Sequence, residues 1–258
     1  MSDSKTIVSI KSVSFSYGKE EVLRNLDLEI AEPSINVLLG LNGCGKTTLI
    51  KLMIGSLKNK TGSISFGGKK LDKISFAERA ELVSYVPQNI KEDQDFEVID
   101  FLLLAYANSL RIYQTPSNEK VEKAREIADK FHVSSFLEKR MDELSGGERQ
   151  KVYICSAYIQ NTPFIVLDEP TSALDLANQA LVISLLKELK KEGKTIILST
   201  HNPNLALHLD ANVFLMNDGR IVRKGHCKDM IKADVLSDIY GDNLISSKEA
   251  EYDEVTIR

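Results

Sequence analysis

The chain of 258 residues has no tryptophan, and aromatic residues of all kinds make up 7% of it. That is ordinary for a soluble α/β protein. A formal net charge of −4 removes the global positive field that draws a protein to nucleic acid, so no nucleic-acid partner is expected. Cysteine is scarce. Cys44, Cys155 and Cys227 are odd in number and widely separated, without disulfide-framework or metal-ligand spacing, and read as free thiols in a reducing compartment. No apolar run approaches the roughly 18–20 residues that span a bilayer. The opening Met1-Ser2-Asp3-Ser4-Lys5 leads into a strand pattern without a signal-peptide core. The expectation is a cytoplasmic protein whose membrane role, if it has one, passes through a partner. Repeats and low-complexity linkers are also missing.

What is present is an alternation of strand and helix signals. Residues 7–17 and 22–30 alternate apolar and polar side chains around Gly18 and predict two antiparallel strands with one buried face. Residues 35–39 form a short apolar strand that runs into a glycine-rich loop, and a helix is expected from about 46 to 54, closed by Gly55. Gly67-Gly68 marks a turn, and 82–86 a further strand ending at Pro87-Gln88. From about 98 to 160 the pattern turns helical, with Val121, Ala124, Ala128 and Phe131 on one face and Pro116, Ser117 and Asn118 at its start. Residues 164–167 resume the buried strands. A helix aligning Leu181, Leu185 and Leu189 follows, then a strand at 195–199 and a hairpin about Asp218-Gly219. Such alternation implies a mainly parallel sheet with ligands at the strands' carboxyl ends.

Three motifs carry chemistry. Gly40-Leu41-Asn42-Gly43-Cys44-Gly45-Lys46-Thr47-Thr48 fits the phosphate-binding pattern G-x-x-x-x-G-K-[ST], with a strand before it and a helix after. Its glycines let backbone N–H groups close around phosphate oxygens, and the helix start adds positive partial charge. Lys46 is expected to neutralise the β- and γ-phosphates and Thr47 to ligate Mg²⁺. Asp168 and Glu169 end an apolar strand; one carboxylate on Mg²⁺ through water and one polarising the attacking water would suffice for phosphoryl transfer. Read alone, the pair could equally start a turn or cap a helix. Leu144-Ser145-Gly146-Gly147-Glu148 opens a helix bearing Val152, Cys155 and Ile159. It fits a capping box as well as a γ-phosphate site, and its place on a helical lobe points to a phosphate held by a second subunit.

With these motifs in this order, the chain resembles the ATP-binding cassette ATPases from about residue 6 to 230. The resemblance implies an α/β fold: a P-loop NTPase (RecA-like) core with an antiparallel β subdomain and an inserted α-helical subdomain. It implies one domain over 1–247, with the core at 1–88 and 161–247 and the helical part at about 89–160. An acidic, solvated tail over 248–258 completes the division. ATP and Mg²⁺ are the implied cofactors. Tyr17 would stack on adenine. Gln88, after Tyr85-Val86-Pro87, would link Mg²⁺ and the water to the helical lobe, and His201 would bond the γ-phosphate. Ser172-Ala173-Leu174-Asp175 would cross a dimer interface. Two ATP molecules would be sandwiched head to tail between two copies, each between one copy's glycine loop and the other's Ser145-Gly146-Gly147. Hydrolysis would reopen the dimer and move membrane permease subunits at the cytoplasmic face, with an extracytoplasmic substrate-binding protein engaged indirectly. His132, His208 and His226 match nothing in the family and read as structural or surface residues.

Within the family, residues 78–88 and the single-cassette length are most similar to importer subunits for iron–siderophore, haem or cobalamin complexes, with zinc and manganese importers close in these stretches. The chain departs from the pattern in three places. Residues 31–34 lack the usual glycine, Ser156-Ala157 stands where Arg-Ala is common, and Asn202 replaces the aspartate after the switch histidine. None removes a nucleotide-contacting side chain. An exporter or cofactor-assembly cassette shares the same catalytic parts. A soluble cassette acting on ribosomes or DNA is disfavoured, because those carry two cassettes or a long coiled coil. Cys44 lies inside the glycine loop, where a helix N-terminus and Lys46 beside it both favour a thiolate, so alkylation there is expected to block ATP binding and MgATP to protect it.

Overall fold

A computed structural model describes residues 6–31, 33–88, 95–107, 115–172, 174–240, 244–247 and 254–257. The chain divides into two compact units, 1–75 with 185–258 and 76–184. The first unit opens with strands β1 (Thr6–Tyr17) and β2 (Glu20–Ala31), paired antiparallel as the alternation predicts. On β2, Leu26, Leu28 and Ile30 are buried while Asp27 and Glu29 face outward. An irregularity at Ser12, which has positive φ, resets the alternation on β1, so that Val8 and Ile10 and then Val13 and Phe15 point inward. The Ser12 N–H donates to the Asp27 carboxylate at 2.9 Å, which holds the irregularity in place.

Strand β3 (Ile35–Leu39) is buried at every position, and helix α1 (Lys46–Met53) follows it. Each fully buried aliphatic side chain in such a strand contributes about 1.5–3 kcal/mol. Past the helix, the Gly55 N–H donates to the Leu52 carbonyl and the Ser56 N–H to that of Lys51, and the chain turns out at Gly55 as predicted. β4 (Thr61–Phe66) joins β1 antiparallel, and β5 (Lys69–Lys70) joins β4 after Gly67-Gly68, giving the order β2-β1-β4-β5.

The second unit begins with α2 (Phe76–Leu82), which buries none of its side chains, and β6 (Val83–Val86). The helical region comprises α3 (Val98–Leu104), α4 (Asn118–Lys130) and α5 (Gly146–Ile159). Ser117 caps α4 by accepting the Lys120 N–H, and Ala124, Ala128 and Phe131 are buried as the periodicity requires. Ring contacts Phe101–Tyr153 and Phe131–Tyr158, with centroids 4.7 and 5.2 Å apart, lock α5 to its neighbours. β7 (Phe164–Asp168) pairs parallel with β6, Val86 opposite Leu167.

Helix α6 (Leu176–Lys191) carries the chain back into the first unit. There β8 (Thr195–Thr200) pairs parallel with β3, and α7 (Pro203–His208) follows. β9 (Asn212–Asn217) lies parallel to β3 on its other side, and β10 (Arg220–His226) pairs antiparallel with β9. Asp218 and Gly219 turn this hairpin with φ of 45° and 73°. Two short helices, α8 (Cys227–Met230) and α9 (Ala233–Tyr240), lead to β11 (Leu244–Ser247) and β12 (Glu254–Ile257). β11 and β12 pair antiparallel, so the segment expected to be a solvated tail contributes a strand at 254–257; residues 248–253 lie outside the described residues. No described helix is long and apolar enough to cross a membrane.

Candidate functional site

The glycine loop is assembled where β3 ends. The Gly40 N–H donates to the Thr200 carbonyl at 3.4 Å, and a Cβ at Gly40 would run into the Met216 carbonyl oxygen, so β8 and β9 wall the loop on either side. Gly45 is the N-cap of α1 at φ 106°, a conformation closed to ordinary side chains, and a Cβ there would lie 2.8 Å from Leu23 Cδ2. The helix start carries no side-chain cap and no acidic residue in its first turn. Its N–H groups therefore meet an anion without competition. Lys46 is buried, and its ammonium donates to the Gly40 and Leu41 carbonyls at 2.8 and 3.1 Å, which folds the charge back over the loop. Thr47 is half-buried and Thr48 buried; Asn42 and Gly43 form the exposed rim. The Cys44 thiol belongs to a buried residue and sits beneath the loop, where a Cβ on Gly40 would be 2.8 Å from its sulfur.

Two other expected residues stand near this loop. β8 delivers His201 directly after Thr200, the residue paired with Leu39, so His201 leaves the sheet beside Gly40. Its backbone carbonyl accepts the Tyr240 hydroxyl at 3.1 Å. Asn202, the departure from the family's aspartate, caps α7 by accepting the Asn204 N–H at 3.0 Å, and Pro203 occupies the first helical turn. Asparagine and aspartate serve that role about equally. Tyr17 ends β1 with its ring 47% exposed, set edge-on to Phe15, at the turn of the hairpin whose Val22 and Leu23 touch the loop.

In the second unit the parallel register of β6 and β7 brings Gln88 and the two carboxylates out at the same end of the pair. Asp168 is 1% and Glu169 6% exposed, and Glu169 takes the left-handed conformation at φ 48°. Such a backbone at a non-glycine residue costs about 1–3 kcal/mol and re-aims the side chain. Burial, and secondarily the Asp168 charge, push the Tyr85 phenol up to about 12, so it remains a protonated donor next to this pair. The Glu169 carbonyl accepts both the N–H and the hydroxyl of Ser172. Asp175 caps α6 through the Asn178 N–H at 2.8 Å, and the Gln179 amide ties down the carbonyls of Thr171 and Leu174. Ala173 lies outside the described residues.

Ser145 is the N-cap of α5 and forms a complete capping box. The Glu148 N–H donates to Ser145 Oγ at 3.3 Å, and the Ser145 N–H donates to the Glu148 carboxylate at 2.8 Å. These bonds hold the Glu148 carboxyl below the usual range. Arg149 is buried and donates to the Met141 and Leu144 carbonyls, fixing the approach to Ser145, Gly146 and Gly147.

The family model for ABC transporters matches residues 23–172, more than half of the chain. This chain belongs to the ABC transporter ATPases. A probable iron chelatin transport ATP-binding protein of Helicobacter pylori is 32% identical over 236 residues, 91% of this chain and 92% of that protein. Among solved structures, a transporter described as metal-chelate type, in an inward-facing conformation, superposes with TM-score 0.83 at 25% identity over 98% of each chain. An ATP-binding cassette solved as a post-hydrolysis dimer with ADP and phosphate gives 0.77 at 25% identity, covering 86% of this chain and 99% of that one. The α/β cassette fold, the binding of ATP and its hydrolysis follow for this chain.

Sequence reasoning passed over several residues that this cassette uses. Arg149, to which no motif points, is an internal anchor on the Met141 and Leu144 carbonyls. Gln179 and Tyr240 hold the Asp175 loop and the His201 backbone from eight and 39 residues away, contacts with no local signature. The Asn202-Pro203 pair did announce a helix start and could have been read.

Proposed function

We propose that this cassette drives uptake of a metal chelate of the iron–siderophore, haem or cobalamin class. In this reading it sits on permease subunits at the cytoplasmic face of the membrane, fed by an extracytoplasmic substrate-binding protein, and works as a head-to-tail pair of copies. Lys46 and the N–H groups of the loop from Gly40 through Asn42, Gly43, Cys44 and Gly45 to Thr48 hold the phosphates. Thr47, Gln88 and Asp168 are the residues that would hold Mg²⁺, which would neutralise charge on the leaving phosphates. Glu169 orients the attacking water, His201 bonds the γ-phosphate, and Tyr17 stacks on the adenine. Ser145, Gly146, Gly147 and Asp175 serve the nucleotide of the second copy. The helical segment at about 89–160 transmits the motion. ATP drives the cycle because it favours the closed pair through contacts absent in the open one.

The observation that supports this best is the uncapped start of α1 with the Lys46 ammonium folded over a cradle that no Cβ could enter at Gly40. Relatives named for iron chelate transport supply the substrate class. The test is Glu169→Gln. Loss of the positioned base is expected to reduce hydrolysis about 10²–10⁴-fold while ATP binding persists. Tagged Glu169→Gln protein with MgATP is then expected to pull a polytopic permease from detergent-solubilised membranes. Ribosomal or DNA-associated proteins in its place would overturn the transport reading and leave the ATPase intact.

A further inference from the structure

Among the described residues one group outside the nucleotide machinery combines thiol, imidazole and carboxylate: Asp210, His226 and Cys227. The β9–β10 register brings them together. His226 pairs with Asn212 at the end of the ladder, and the Cys227 N–H extends it by donating to the Ala211 carbonyl at 2.9 Å. Asp210, next back along the chain and held at φ 47°, is thereby turned toward both. The imidazole lies between the other two. Its Nε2 is 3.4 Å from an Asp210 carboxylate oxygen, and its Nδ1 is 3.6 Å from the Cys227 sulfur. One donor atom from each residue falls within 4.8 Å of the other two.

We propose that these three side chains form a binding site for a divalent transition metal of the zinc class, with water completing the shell. Bonds of about 2.0–2.3 Å to sulfur, nitrogen and oxygen at tetrahedral angles put neighbouring ligands about 3.3–3.6 Å apart; the 3.4 and 3.6 Å contacts here are made by opposite ring nitrogens, and one donor atom from each residue lies within 4.8 Å of the others, so the ligands close in by about an ångström on binding. The mixed donor set suits a borderline ion and not calcium or magnesium, which take oxygen. A single ion takes one ring nitrogen, so binding draws either the carboxylate or the sulfur around the imidazole. The carboxylate is the group with room to move, since Asp210 is exposed and its neighbour Lys228 is 3.9 Å away at the surface, while the Cys227 sulfur is buried and stays in place. Binding releases the Cys227 thiol proton. It also cross-links the segment before β9 to the start of α8. The other end of the same hairpin touches the glycine loop, where the Gly219 N–H donates to the Cys44 carbonyl at 3.2 Å. The site is independent of what the transporter carries.

Chelator-treated full-length protein titrated with Co²⁺ alone tests this. One equivalent per chain is expected to give a thiolate-to-cobalt charge-transfer band, displaced by Zn²⁺. Cys227→Ser should abolish the band. Asp210→Asn and His226→Gln should weaken Co²⁺ binding by more than about tenfold. Cys227 is buried, so circular dichroism of each variant accompanies the titration, and Asp210→Asn, at an exposed position, gives the answer if Cys227→Ser does not fold. Absence of a band in the wild type, a band surviving in folded Cys227→Ser, or unchanged affinity in Asp210→Asn would each overturn the site. In that case His226 serves only to cap α8, where its Nδ1 accepts the Lys228 N–H at 3.5 Å.

Discussion

The chain opens two helices with glycine-rich motifs, and the two starts are built in opposite ways. At α1 the N-cap is Gly45, no side chain caps the first turn, and Lys46 brings its ammonium onto the loop. At α5 the N-cap is Ser145, and Glu148 and Ser145 satisfy each other's backbone N–H groups. The first start is left open to an anion and is positively charged. The second is closed on itself and carries a carboxylate one turn in. In the proposed function the open start takes phosphate within a single chain, and the closed one meets a phosphate carried by the second copy, where its remaining N–H groups become useful. The difference gives the order of events in the proposed cycle, nucleotide on the loop first and pairing of the copies second.

The sharpest way to break this comparison is to disable each start separately. Lys46→Ala removes charge-assisted hydrogen bonds worth about 1.5–3 kcal/mol, so ATP affinity of the isolated chain should fall about 10–100-fold. Ser145→Ala should leave that affinity within about twofold, while ATP-dependent pairing of Glu169→Gln protein is lost, as read by light scattering. An equal loss of ATP affinity in both variants would show that the two starts are not functionally distinct.

Much of this contrast was legible in the sequence. G-x-x-x-x-G-K-[ST] has a mechanism in its spacing, and Ser145 with Glu148 announced a capping box before any coordinates. The alternation in β1 and β2 and the Asp218-Gly219 turn fixed their strands because each depends on neighbouring residues only. What escaped notice was non-local or unpatterned. Helix α2 buries no side chain, so it has no apolar period to read. Arg149 caps carbonyls of a preceding turn, a role its helical position disguises. β12 forms because residues 254–257 find β11 across a segment whose charge pointed to solvent. Gln88, Asp168 and Glu169 share one end of a strand pair only through the β6–β7 register, which pairs Val83 with Phe164 far along the chain.

The open start also governs Cys44. Its sulfur lies buried beneath the loop, against Gly40, which restricts access to it. Alkylation is therefore expected only as the loop opens, to block ATP binding once it occurs, and to slow by about tenfold or more when MgATP holds the loop. Mass spectrometry of Cys44 with time, with and without nucleotide, reads this; equal rates would show that nucleotide does not close the loop over the thiol.

The closed start makes the smallest and most specific prediction. The Glu148 carboxyl is held below its usual value, chiefly by the Ser145 N–H it accepts, so the folded state favours the carboxylate. The stabilisation is fully present above the unfolded value near 4.5 and is lost as pH falls through the lower folded value. Acid should thus loosen α5 while leaving α1, which has no acidic cap, unaffected by this route. Glu148→Gln keeps a side-chain acceptor for the Ser145 N–H but cannot titrate. Compared with wild type in urea melts between about pH 3 and 6, it should show a flatter dependence of midpoint on pH and a modest loss at neutral pH. Ser145→Ala should cost about 1 kcal/mol at every pH. If Glu148→Gln reproduces the wild-type slope, the acid sensitivity lies elsewhere, with the Arg140–Asp142 pair just upstream the next group to examine, since Arg140 lowers the Asp142 carboxyl in the same direction.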